Sequence, residues 1–284
     1  MNNSTGTAKK QNTEIDGKTY TWGSKTYVMG IINVTNDSFS GDGVGYDPDI
    51  ATDQALKFQE EGADFIDVGG ESTRPPGIYN NVITVSADEE IKRIVPVIKL
   101  MSRKLDIPIS VDTYKSDVAR CALESGASFI NDIWGLTNDA GMIDVLLQYE
   151  CPVIVMHNQE NTIYKNLIKD IKLNFNSTIH FAVAKGVKKQ NIILDPGIGF
   201  GKTPAQNINV MKNLNEFQGL GQPLLIGTSR KSFIGHILDV PIEDRLEGTA
   251  ATVALAIQSG VDIVRVHDVK EMVKISRMTD AIIR

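Results

Sequence analysis

Eight short apolar runs punctuate the chain, and nearly every one closes on a polar or charged residue. Val28 to Ile32 leads into Asn33, Phe65 to Val68 into Gly69, Gly70 and Glu71, and Ile107 to Val111 into Asp112. Ser128 to Ile130 leads into Asn131 and Asp132, Val153 to Met156 into His157, and Ile192 to Leu194 into Asp195. Leu224 to Ile226 closes on Gly227 and Thr228, and Ile263 to Val266 on His267. Each intervening segment has room for one helix and two loops. Runs this short read as buried parallel strands, and an eight-fold strand–helix alternation predicts a closed (β/α)8 barrel. In that architecture the strand ends at the C-terminal face carry the chemistry, so the closing residues are also candidate site residues.

The punctuation agrees. Glu61-Gly62-Ala63-Asp64-Phe65, Ser125-Gly126-Ala127-Ser128-Phe129 and Ser259-Gly260-Val261-Asp262-Ile263 share one logic. A helix ends, glycine takes a left-handed position, and a two-residue link enters a strand. Ser86 with Glu89 three residues on predicts a capping box, followed by apolar Ile91, Ile94, Val95 and Ile98 at helical spacing. Asp16-Gly17 and Trp22-Gly23 predict a short hairpin ahead of the first strand. The expected fold is α/β, a single TIM barrel over residues 17–284 with that hairpin, preceded by a flexible tail over 1–16. A doubly wound open sheet is the competing architecture. Its Gly-x-Gly-x-x-Gly turn is missing after the first run, which reads Gly30-Ile31-Ile32-Asn33-Val34-Thr35.

Composition narrows the function. At 284 residues and 42% hydrophobic content the chain can build one large core. A net charge of −6 argues against sequence-independent nucleic-acid binding. No apolar stretch reaches the roughly 18 residues of a membrane span, and the polar first twenty residues lack a signal-peptide core, so a cytoplasmic location is expected. Cys121 and Cys151 lack metal-ligand spacing and read as buried thiols in a reducing compartment.

Asp112, Asn131 and Asp195 each follow a buried strand, where a carboxylate needs a hydrogen-bonding partner. Singly, each reads equally well as a loop cap. Together on one barrel face, two carboxylates and an amide suit the edge of a flat heterocycle bearing N–H groups. Asp195-Pro196-Gly197-Ile198-Gly199-Phe200-Gly201-Lys202 sets an aromatic among glycines, where it can cover a ring. Ser229-Arg230-Lys231-Ser232-Phe233 opens a short helix beside two cations, an anion site or a solvated basic loop. Arg265 and His267 share a side of the last strand, with Val266 on the other, and read as a cationic pair for phosphate. Residues 33–40 and 71–77 form long polar segments after the first two runs.

These residues match a family. MGIINVTNDSFS, GADFIDVGGESTRP, ISVDTYK, INDI, LDPGIGFGK, GTSRKSFIG and IVRVHDV resemble dihydropteroate synthase motifs, in order, over residues 28–284. The resemblance implies a folate-pathway transferase that joins 4-aminobenzoate to a pterin methyl diphosphate, releases pyrophosphate and uses Mg2+. It implies Asp112, Asn131 and Asp195 on the pterin edge, Lys231 on its carbonyl side, and Met156 and Phe200 against the ring. Asn33 would hold Mg2+ with diphosphate oxygens, while Thr73, Arg74, Arg265 and His267 serve the diphosphate, with Val266 counted among the substrate-binding residues. Phe39, Pro75 and Lys231 would line the aminobenzoate slot, and Ser232 would take its carboxylate. Asp37 or Asp42 would stabilise the cation-like methylene centre. Similar enzymes are homodimers through outer helices and are sulfonamide targets. The alternative is a pterin-binding barrel that presents methyl-tetrahydrofolate to a corrinoid protein; a pterin-binding scaffold without catalysis is a further rival. The SRKSF segment and the diphosphate set favour the synthase.

Three departures from the family pattern fall on the rim: Asn36 in place of proline, the lengthened stretch from Pro76 to Thr84, and Asn158-Gln159-Glu160 after the fifth run. Bulk at the rim can exclude a sulfonamide tail at little cost to aminobenzoate. Such steric discrimination is worth about 1–3 kcal/mol. Shortening the Pro76 to Thr84 stretch should therefore tighten sulfonamide binding more than it alters the aminobenzoate KM. Equal shifts in both, or none, would make those residues a surface loop.

Overall fold

A computed structural model of the chain describes residues 10–35, 45, 47–71 and 85–284. Asn36, Asp37, Phe39, Asp42, Thr73, Arg74, Pro75 and the stretch from Pro76 to Thr84 lie outside the described residues, as do residues 1–9 of the expected tail. A hairpin, β1 (Thr13–Ile15) and β2 (Lys18–Tyr20), precedes eight strand–helix units. The strands are β3 (Tyr27–Asn33), β4 (Phe65–Gly69), β5 (Ile109–Asp112), β6 (Phe129–Asp132), β7 (Val153–Met156), β8 (Ile192–Asp195), β9 (Leu225–Ile226) and β10 (Ile263–Val266). The helices following them are α1 (Pro48–Glu61), α2 (Ala87–Met101), α3 (Ser116–Glu124), α4 (Gly141–Tyr149), α5 (Leu167–Lys185), α6 (Pro204–Lys212), α7 (Ser232–Leu238) with α8 (Leu246–Gln258), and α9 (Val269–Ile283).

The sheet is parallel, in the order β8-β7-β6-β5-β4-β3-β10-β9. A parallel bridge between Leu194 and Leu224 joins the two ends, so the barrel closes and leaves no open edge. Gly62, Gly126 and Gly260 take φ of 102°, 111° and 87°, the left-handed geometry that the repeated punctuation requires.

Strand parity separates two cores. Ile66, Val68, Val111, Ile130, Val153, Val155, Ile192, Leu194, Val264 and Val266 face the helices. Met29, Phe65, Phe129, Ile154, Ile193, Leu225 and Ile263 fill the inside of the barrel. Two residues further along the same strands, on the same parity, stand Asp67, Asn131, Met156, Asp195 and Arg265. An apolar floor therefore carries a polar layer at the C-terminal mouth. Val266 belongs to the outer core, so its side chain is turned away from the mouth.

Several local expectations need adjustment. The hairpin begins at Thr13, inside the stretch expected to be a tail, because Thr13 and Ile15 are buried. Asp16 and Gly17, both at positive φ (51° and 70°), form its two-residue turn. Ser86 accepts from the Glu89 amide as expected, but the Glu89 carboxylate pairs with Arg93 at 3.0 Å, so only half of the capping box forms. The complete box is Thr203 with Gln206 at the start of α6. Cys151 is buried, whereas Cys121 is only partly so.

The hairpin closes the N-terminal end of the barrel with aromatic rings. Tyr20 lies 4.8 Å from Phe65, Phe65 packs edge-on to Phe129 at 5.4 Å, and Trp22 meets Tyr27 at 5.3 Å. The Trp22 indole N–H donates to Thr13 Oγ1 (2.9 Å), whose hydroxyl donates to the Gln190 carbonyl (2.6 Å). Trp22→Ala should cost about 3–5 kcal/mol of stability in denaturant unfolding while turnover per folded molecule is kept. A loss below about 1 kcal/mol would mean that the hairpin does not plug the barrel.

Candidate active site

The polar layer is a network of ion pairs drawn from separate strands. Arg265, near the end of β10, donates through Nε to Asp67 Oδ2 (2.5 Å) and through Nη2 to Asp112 Oδ2 (2.7 Å). Asp67 also accepts from Ser110 Oγ (2.5 Å) and Asn131 Nδ2 (2.9 Å). Asp195 Oδ1 accepts from the Gly197 amide at 2.8 Å. The Lys231 ammonium sits 4.4 Å above the Phe200 ring centre, a cation–π contact that joins the loop after β8 to the start of α7. Met156 is buried at the end of β7. The structure thus gathers Asp112, Asn131, Met156, Asp195, Phe200, Lys231 and Arg265 at one mouth, as expected. Ser232 is the exposed first residue of the seven-residue α7.

Burial governs the charges. The Asp112 carboxyl is pushed up to about 7, chiefly by desolvation, with Arg265 pulling the other way and Asp67 and Glu90 adding to the rise. Asp112 Oδ1 is buried with no hydrogen-bond partner, an acceptor left for an incoming donor. Desolvation also raises Asp195, which the Gly197 amide, Lys231 and Arg265 oppose. Lys231 is lowered to about 8 by burial and by Arg265.

His267 departs from expectation. Burial, then Arg265, Arg230 and Lys231, hold its imidazole well below the usual histidine range, so it is neutral rather than half of a cationic pair. Its Nδ1 lies 3.0 Å from Ser229 Oγ, and its amide donates to the same oxygen at 3.1 Å. Arg265 is likewise directed at two carboxylates through Nε and Nη2. Arg230 is engaged by Asp268 through a two-point contact (3.1 and 2.6 Å), while the adjoining Lys231 lies over Phe200.

Two residues escaped the sequence reading. Asp67 sits inside an apolar run, and its signal is parity: Phe65-x-Asp67 mirrors Ile263-x-Arg265 with the opposite charge. Lys202 is buried at the foot of the glycine loop and donates to the Gly197 and Phe200 carbonyls (3.0 Å each), with its Nζ 3.1 Å from His157 Nδ1. Burial lowers Lys202 to about 7 and His157 to about 3. The loop folds tightly against the strand-β7 turn, since a Cβ at Gly197 (φ 69°) would stand 2.1 Å from the His157 carbonyl oxygen.

Asn33 ends β3, half-buried. A Cβ on Gly69 would lie 3.8 Å from both Asn33 Oδ1 and Asp112 Oδ2, so the glycine opens the space between these two oxygens. Among the described residues no three His, Cys, Asp or Glu side chains form a metal-binding group. One neutral amide oxygen does suit Mg2+, which keeps most of its waters and takes the rest of its ligands from phosphate.

The chain is similar to several known proteins. Residues 29–267 match the family described as pterin binding enzyme. A dihydropteroate synthase from Clostridium beijerinckii is 50% identical over 272 residues, covering 95% of this chain and 99% of its own. The crystal structure of a dihydropteroate synthase from Clostridium difficile in the presence of pteroic acid superimposes with a TM-score of 0.86 at 50% identity, covering 93% of this chain and 99% of that one. A Xanthomonas albilineans dihydropteroate synthase with 4-aminobenzoic acid gives a TM-score of 0.88 at 36% identity, covering 95% and 97%.

The raised Asp112 carboxyl has a consequence for stability. The folded chain keeps a proton that the unfolded chain sheds near pH ~4, so this group works against the fold as pH rises from about 4 to 7. Asp112→Asn should melt higher than the wild type at pH 8, with the gap closing toward pH 4. Equal or lower melting at pH 8 would show that the site does not strain this carboxylate.

Proposed function

The chain belongs to the pterin binding enzyme family, as a dihydropteroate synthase, and on that premise we propose how its barrel mouth performs the reaction. A (7,8-dihydropterin-6-yl)methyl diphosphate condenses with 4-aminobenzoate to 7,8-dihydropteroate and pyrophosphate. The observation that carries the site assignment is the buried, unpartnered Asp112 Oδ1 beside Asn131 and Asp195. This acceptor-rich edge complements the N–H groups of a pterin, and such sites reject rings that lack a matching donor.

Phe200 and Met156 flank the ring, and Lys231 meets its carbonyl side. The C–O bond to the diphosphate breaks and its electron pair leaves with the pyrophosphate. The ring donates electron density to the methylene carbon, the aminobenzoate nitrogen attacks it, and the amine then gives up a proton. Nothing in this sequence requires a covalent enzyme intermediate. Lys231 and Arg265 oppose the negative charge that grows on the leaving group. Neutral His267, held by Ser229, offers Nε2 to a diphosphate oxygen as a hydrogen-bond donor rather than as a cation. Mg2+ would sit at Asn33 and supply charge stabilisation to the departing pyrophosphate.

The rim roles of Asp37 or Asp42, Phe39, Thr73, Arg74 and Pro75, and of Ser232 toward the aminobenzoate carboxylate, rest on their motif positions. We also propose a cytoplasmic homodimer. Support comes from the absence, among the described residues, of a helix long and apolar enough to cross a membrane, and from exposed Leu255, Met278 and Ile282 on the outer helices α8 and α9.

The purified chain should release pyrophosphate only when both substrates and Mg2+ are present. Asp195→Asn should weaken bare-pterin binding by about 1.5–3 kcal/mol in calorimetry, the scale of a hydrogen bond to a charged group. Turnover undiminished by chelation would remove the Mg2+ assignment. Unchanged pterin affinity in folded Asp195→Asn would remove Asp195 from the pterin edge.

A further inference from the structure

We propose that Asp67 is a positioning residue of the pterin floor, fixing Asn131 so that its carbonyl rather than its amino group faces the mouth. The inference rests on the assignment of that mouth to pterin. Asp67 is fully buried on the inward parity of β4, one layer above Phe65. A carboxylate accepts at about four lone-pair positions. Three donors from three other strands occupy this one: Ser110 on Oδ1, and Asn131 and Arg265 on Oδ2.

The consequence is chemical. An amide presents an acceptor on one side and donors on the other, and its neighbours decide which way it turns. Asp67 can only accept when ionised, so the Asn131 amino group must point at it and the Asn131 oxygen must point away. The mouth then offers Asp112 Oδ1, Asn131 Oδ1 and the Asp195 carboxylate, a floor of acceptors. Were Asn131 turned over, its amino group would meet the donors of the pterin edge and the match would fail. The same carboxylate holds the Arg265 guanidinium by Nε while Asp112 holds it by Nη2, so Arg265 cannot rotate without breaking two charged hydrogen bonds. Asp67 needs no contact with the substrate to impose this selectivity.

Asp67→Asn tests the assignment, because the new amide can donate to Asn131 as well as accept from it and the imposed orientation is lost. Two probes are compared by calorimetry at pH 8: 2-aminopteridin-4-one and pteridin-4-one, which lacks the amino donor. The wild type should prefer the amino compound strongly, and Asp67→Asn should lose at least tenfold of that preference while retaining a cooperative melt. A preserved ratio in folded Asp67→Asn would overturn the role of Asp67 alone. A wild type that fails to discriminate would overturn the pterin-floor assignment itself. If Asp67→Asn does not fold, Ser110→Ala removes one anchor of the same carboxylate and should lower the preference two- to threefold; an unchanged preference there would also overturn the role.

Discussion

Arg265 held between Asp67 and Asp112 is the contact on which the mouth is built. Each of these groups is taken out of water, and a charge so placed is tolerable only with a partner in good geometry. Removing the shared cation, Arg265, leaves both carboxylates uncompensated, typically at about 3–5 kcal/mol. The three come from β10, β4 and β5, and Asn131 and Ser110 join them from β6 and β5. These strands are β6, β5, β4 and β10, grouped around β3 in the sheet, so their ends fall in one layer. The apolar floor of Phe65, Phe129, Ile154, Ile193 and Ile263 lies directly beneath that layer. Fold and site are therefore coupled through desolvation: the barrel supplies a low-dielectric cup, and the cup makes Asp112 hold its proton to about 7.

Much of this was legible in the chain because strand ends in a barrel announce themselves. An apolar run closing on Asp112 or Asp195 has few other uses, and glycine at 62, 126 and 260 marks where helices hand over to strands. What escaped was information carried by pairing. Asp67 is invisible as a strand end and becomes evident only when its parity is matched against Arg265, two strands away on the other side of β3. His267 and Arg265 looked like a cationic pair because sequence gives proximity, not solvation. Burial beside three cations leaves the imidazole neutral, and two carboxylates occupy Arg265. Alternation turns the Val266 side chain to the helices, as the strand pattern predicts. Glu89 was expected to close a capping box, but Arg93 one turn on offers it a charged partner. Lys202 read as part of a loop string, whereas its burial makes it the anchor of that loop.

The same layout explains how one barrel can serve different pterin chemistries. On the proposed reading, recognition of the ring belongs to the strand ends, held by ion pairs and by the Lys202 cluster. On the same reading the reaction is assigned to what surrounds it: Lys231 over Phe200, Ser229 beside His267, and the oxygen of Asn33 near Gly69. A barrel that presents a methylated folate to a corrinoid protein needs the first set and not the second. The retention of both sets here accords with the synthase family and not with a bare pterin carrier.

On the proposed pterin assignment, the buried Asp112 carboxyl is the group whose protonation a bound ring should change. Calorimetry of bare-pterin binding at pH 7, repeated in buffers of different ionisation enthalpy, reads the protons exchanged on binding. With burial holding the Asp112 carboxyl above the usual carboxylate range in the free protein and a pterin N–H favouring its ionised form, the wild type should release more protons than Asp112→Asn. Equal proton exchange by the two proteins, or net uptake attributable to Asp112, would contradict the account.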